Sequence, residues 1–270
     1  MANALSTGDS VAAAAVFASI FAILSLANTF RLFQHRAWSC IPFVVGGTME
    51  TTGYITRALG STNPSSTPLK IVQVLCILLA PVLFAAAIYM TLDRVVRATA
   101  GERYSMLRST WITKIFVGSD VMCFVTQAIG AGVIAAGGST ALGGNIVLGG
   151  LILQIVVFAF FVCVGAVFHL RLRQHPNRLS ERVRWVHHMV TLYVMSIAIT
   201  SRNVYRVVES CMGADGYIMS HEWTLYVFDA AMMVGVLSVS IRNYSLFKKG
   251  YETCKQGEQI DVDEYAQLPA

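Results

Sequence analysis

Seven apolar runs, each about as long as a lipid bilayer is thick, leave this chain few ways to fold. They cover residues 11–30, 38–59, 69–92, 115–136, 145–168, 186–208 and 223–241. Roughly 20 helical residues at about 1.5 Å each cross the hydrocarbon core. No water there can satisfy a bare amide, so a spanning segment must be a helix or part of a closed barrel. The runs lack the ten-residue alternation of barrel strands. The prediction is therefore all-α: a polytopic seven-transmembrane helix bundle. Composition agrees, with 55% hydrophobic and 13% charged residues, about half the charged share of a soluble domain.

Charge placement orients the bundle. Of the 20 Lys and Arg, 16 lie in the first, third and fifth connections and the carboxyl-terminal segment. The opposite side carries Arg57 and Lys70, and the other two are Arg202 and Arg206. The positive-inside rule puts the amino terminus outside and the carboxyl terminus in the cytoplasm. The expected organisation is a short non-cytoplasmic tail over 1–10, a membrane domain over 11–241 and a disordered cytoplasmic tail over 242–270. A glycan on the sequon Asn243-Tyr244-Ser245 would overturn that orientation. The first run has neither a basic n-region nor a cleavage pattern, so it reads as a span and not as a removed leader. The six cysteines show no disulfide framework. The glycine-rich stretch 137–144 has no Gly-Lys-Ser/Thr ending, so it is expected to be a flexible turn with no nucleotide role. Basic residues flank spans instead of forming one patch, so nucleic acid is not an expected partner. No cofactor is implied.

The polar residues inside the runs are the informative ones. Arg202, Arg206 and Glu209 stand at i, i+4 and i+7 in the sixth run, on one helical face. A charge at mid-bilayer costs about 2.5–3.5 kcal/mol on insertion scales, so these groups should face protein and meet acids. Partners at matching spacing exist. The second run has Glu50, Tyr54 and Arg57; the fourth has Asp120 and Gln127; the seventh has Glu222, Tyr226 and Asp229. Gln73 and Tyr89 lie in the third run, Gln154 in the fifth and Tyr205 beside the arginines. At about 1.5 Å per residue, Glu50 and Asp229 fall roughly 10 Å below the outer surface. The expectation is a shared polar chamber in the outer half of the bundle. Single polar residues in such helices also serve as interhelical glue, at about 0.6 kcal/mol per bond. Pro81 is expected to kink the third helix, and Gly130 and Gly132 to permit close helix packing.

Several blocks in fixed order carry a family likeness. They are Glu50-Thr-Thr-Gly53-Tyr54-Ile-Thr-Arg57, Gln73 followed by Ala80-Pro81 through Tyr89, and Asp120-Val121 with Gln127 and Gly130. Gly150-Leu-Ile-Leu-Gln154, Arg202-Asn-Val-Tyr205-Arg206-Val-Val-Glu209, Gly216-Tyr217 and Glu222 through Tyr226 to Asp229 complete the set. In these the chain resembles the fungal lipid-translocating exporters, or RTA-like proteins. The resemblance implies a seven-helix fold, the plasma membrane and movement of, or resistance to, amphiphiles such as sphingoid bases or sterol-like toxic lipids. Membrane lipids and an amphiphilic small molecule are then the expected partners; the sequence names no protein partner. Two other readings stay open. A lipid-responsive receptor or regulator would use the long basic connections as docking sites. A metal-free intramembrane cyclase would use Glu50 or Asp229 as its acid. A zinc enzyme is not expected, because His35, His169, His175, His187, His188 and His221 form no His-x-x-x-His pair.

Overall fold

The structure, a computed structural model, describes residues 2–35, 38–62, 67–99, 109–174, 185–212, 224 and 226–242. Apart from residue 99 and the turn over 136–139, it is helical over those residues. Helix α1 is Ala2–His35, α2 Ile41–Thr62, α3 Thr67–Ala98, α4 Ser109–Ala135, α5 Thr140–Gln174 and α6 Trp185–Met212. Helix α7 opens with the π-helical turn Tyr226–Ala230 and continues as α-helix over 231–242. Glu222, Gly216-Tyr217 and the 243–270 segment lie outside the described residues.

Among the described residues, four helices are long and apolar enough to cross a membrane: α1, α3, α4 and α5. Of the other three candidates from the sequence, two fall short for a physical reason. Helix α2 carries Glu50, Tyr54 and Arg57 among several threonines, α6 carries two histidines, two arginines and a glutamate, and α7 is described only over 226–242. These three are also the helices that bring charge to the centre of the molecule.

Each helix packs on its neighbour in sequence, and α3 also packs on α6. The ring closes where Asn28 of α1 donates through Nδ2 to the Leu237 carbonyl at 3.3 Å and accepts from Ser240 Oγ at 2.7 Å. Helix α3, touching α2, α4 and α6, is the most buried of the four long apolar helices. Its Ala80, Phe84, Ile88, Tyr89 and Leu92 have essentially no exposed surface, as expected of a helix apolar on every side. The outer helices turn large apolar side chains outward at helical spacing: Ile23, Leu26 and Phe30 on α1, Met122, Val125 and Ile129 on α4. A water-soluble monomer rarely exposes such continuous apolar faces.

Glycines set the closest approaches. A Cβ on Gly130 would stand 2.7 Å from the Gly143 carbonyl, and one on Gly150 would stand 2.9 Å from the Gln127 side chain. Helices α4 and α5 therefore touch backbone to backbone, as small residues permit in membrane bundles. Gly132, expected to act likewise, faces nothing within 4 Å. The expected loop 137–144 is shorter than its composition suggested. Gly137, at φ +80°, makes the turn, and α5 begins at Thr140, so Gly143 is a packing residue of a helix.

Candidate functional site

The two arginines do meet acids, and the meeting is buried. Arg202 of α6, 3% exposed, forms an ion pair through Nε with Asp229 Oδ1. Its Nη2 donates to the Ile77 carbonyl of α3 at 2.8 Å. That carbonyl is available because Pro81, four residues on, has no N–H to return to it. The proline read from sequence as a kink therefore presents an acceptor to an arginine. Arg206, one turn further along α6, donates through Nη2 to Asp229 Oδ2 at 2.6 Å and through Nη1 to Glu209 Oε2 at 3.1 Å. Its Nε is buried without an acceptor. Asp229 thus bridges two guanidinium groups from the wide π turn at the start of α7, a feature often found at functional positions.

Helix α2 supplies the remaining members. Glu50 is 1% exposed, its Oε1 is buried without a hydrogen-bond partner, and it lies within electrostatic reach of Arg202, Arg206 and Asp229. Tyr54, one turn on, is fully buried, and its hydroxyl likewise has no partner. Its ring stacks on Phe21 of α1, with centroids 5.4 Å apart. Arg57 turns over the Tyr226 ring at 5.6 Å, a cation–π contact. Beside this centre lies a cavity of about 200 Å³ whose lining includes Arg57, Gln73, Gln127, Arg206, Glu209 and Ser210.

Other polar residues from the sequence form pairs, Tyr89 with Asp120 and Gln127, which also lines that cavity, with Gln154. Tyr89 donates to Asp120 Oδ2 at 2.7 Å inside a cage of Phe116, Phe158 and Phe161. Gln127 Nε2 donates to Gln154 Oε1 at 2.9 Å across the α4–α5 contact. Asp120 and Gln127, two turns apart on one helix, therefore serve different partners. Tyr205 leans against Phe228 with centroids 5.8 Å apart, and its hydroxyl lies 3.5 Å from Thr224 Oγ1.

A larger space had no signal in the sequence. A groove of about 770 Å³ runs between α5, α6 and α7, lined by Val162, Tyr193, Ile197, Val204, Tyr205, Val208 and Phe228 with three hydroxyl residues of α6. Ile197, Val204 and Val208 are 40–66% exposed, so the groove opens on the outside of the bundle. Tyr205 and Phe228 are the chain neighbours of Arg206 and Asp229, so the groove and the charged centre share helices α6 and α7.

Comparison with known proteins bears on these residues directly. The family model described as "RTA1 like protein" matches residues 43–247, from the start of α2 past the end of α7. This chain belongs to the RTA1-like family. All of the charged centre falls inside the match. Three relatives from Saccharomyces cerevisiae illustrate its breadth. Protoporphyrin uptake protein 1 is 35% identical over 82% of this chain and 73% of its own length. Protein RTA1 is 32% identical over 85% and 74%. Sphingoid long-chain base transporter RSB1 is 27% identical over 87% and 71%. No solved structure matches. Family and helix composition together make this RTA1-like protein an integral multi-pass membrane protein.

Proposed function

We propose that this protein translocates a long-chain amphiphile across its membrane, holding the head group at the Glu50–Arg202–Arg206–Asp229 centre and the chain in the groove behind it. The observation that carries the reading is the buried meeting of charged side chains from α2, α6 and α7 beside a cavity. Ionised groups are expensive inside a bilayer and are kept where they act on something. The groove supplies the matching apolar surface, open to the side from which a lipid arrives. The names of two relatives, a sphingoid long-chain base transporter and a protoporphyrin uptake protein, support an amphiphilic cargo for this chain. In the same reading all seven helices span, with the amino terminus outside and the carboxyl terminus in the cytoplasm, at the plasma membrane. The chemistry is carriage and not catalysis.

The test is reconstitution in phosphatidylcholine vesicles with a fluorescent sphingoid base. Transfer between leaflets is expected to be faster with the protein than in protein-free vesicles, and slower again when Val204→Trp fills the groove. Equal rates with and without the protein, with and without an ion gradient, would remove the reading.

A further inference from the structure

Resting on that reading, we infer that Glu50 is the receptor for the head group, that it takes a primary ammonium, and that it surrenders a proton when it does so. The buried charges of the centre are unevenly matched by their partners. Asp229 and Glu209 together match Arg202 and Arg206, each guanidinium bound to at least one carboxylate oxygen. Glu50 is then left over in the buried centre, its Oε1 enclosed and without a partner. A carboxylate so placed needs either a proton or a cation, because an unmatched buried charge is strongly destabilising.

The groups around it give Oε1 no hydrogen bond. On α2 itself Tyr54 adds a second unpartnered oxygen one turn away, and Arg57, two turns away at about 10 Å along the helix, is turned onto Tyr226. From α3 come Cys76 and Ile77, and the Ile77 carbonyl is already taken by Arg202. From α1, Phe21 covers the Tyr54 ring and Ser25 abuts Gly47, its hydroxyl also without a partner. From α6 and α7 come the matched arginines, Asp229 and Tyr226. An ammonium entering here finds one carboxylate, with the Tyr54 phenol on the same helical face to accept a second N–H. An anionic head would meet Asp229 and Glu209 at the arginines, both in place before it arrives. The site therefore selects a long-chain amine over a long-chain acid, and amine and proton compete for one carboxylate.

The experiment uses the full chain in nanodiscs of phosphatidylcholine, an uncharged surface. Three probes of equal chain length are compared: sphinganine, its neutral N-acetyl derivative and the corresponding fatty acid. The amine stays charged between about pH 5 and 8. While Glu50 holds its proton, amine affinity is expected to rise about tenfold per pH unit, with one proton released to a pH dye per amine bound. The N-acetyl derivative should bind with no pH dependence and the acid most weakly. Glu50→Gln should abolish proton release and bring amine affinity down to that of the N-acetyl derivative, whose own binding is kept. Amine binding without proton release in the parent protein, or unchanged in Glu50→Gln, overturns the assignment while leaving carriage intact. Failure of all three probes to bind the parent protein removes both. The parent measurements decide the matter even if the variant does not fold.

Discussion

Two halves of the bundle carry polar residues into the protein interior and use them in opposite ways. On the α3–α4–α5 side, Tyr89 meets Asp120 and Gln127 meets Gln154, each pair one bond long, one of them walled by phenyl rings and the other backed by the glycine contact of α4 and α5. On the α2–α6–α7 side, three arginines and three acids share one region, the Glu50 and Tyr54 oxygens have no hydrogen-bond partner, and a cavity adjoins it. Each pair ties two helices together, although Asp120 Oδ1 is also buried without a hydrogen-bond partner. An open, uneven set of charges can bind. On the proposed reading, that difference separates glue from site among residues of the same types at the same spacing.

Substitutions can break or sharpen that contrast. Asp229→Asn should have the largest effect, about 3–5 kcal/mol of lost stability, because it leaves two guanidinium groups short of their shared counter-charge. Thermal unfolding in detergent reads it, and a loss under 1 kcal/mol would mean that the centre is open to water. Tyr89→Phe should cost less, about 1–3 kcal/mol for the bond withdrawn from a buried carboxyl, while transfer per folded molecule stays at the parent rate. A collapse of transfer in that variant would put Asp120 in the site and erase the distinction. Smallest of all, a double-mutant cycle of Gln127→Leu and Gln154→Leu should give a coupling near 0.6 kcal/mol. A value near zero would make the pair a bystander.

The charged centre was legible in the sequence because cost makes it so: arginines in an apolar run must find acids, and few acids were on offer. What the spacing could not tell was who meets whom. Asp120 and Gln127 fit one stripe, but each reaches across to a different helix. Tyr226 and Asp229 fit an α-helical face, yet a π turn changes the register between them. Arg57 lies over the Tyr226 ring, a contact that spacing within α2 could not show. The groove left no trace, since a void is a property of how Tyr205, Val204 and Phe228 fit together and not of any one of them. Gly143 was read as loop because glycine clusters mark turns more often than helix contacts, and only the partner helix shows which applies.

Pro81 touches no ion, yet it has a say in where one sits. By withholding an amide it leaves the Ile77 oxygen bare, and that oxygen helps to steer Arg202. An alanine at that position would hand the oxygen back to its own helix and set a second claimant against the guanidinium. The aim of a charged group on one rod is thus tuned from the spine of another, by a residue whose contribution is something it lacks.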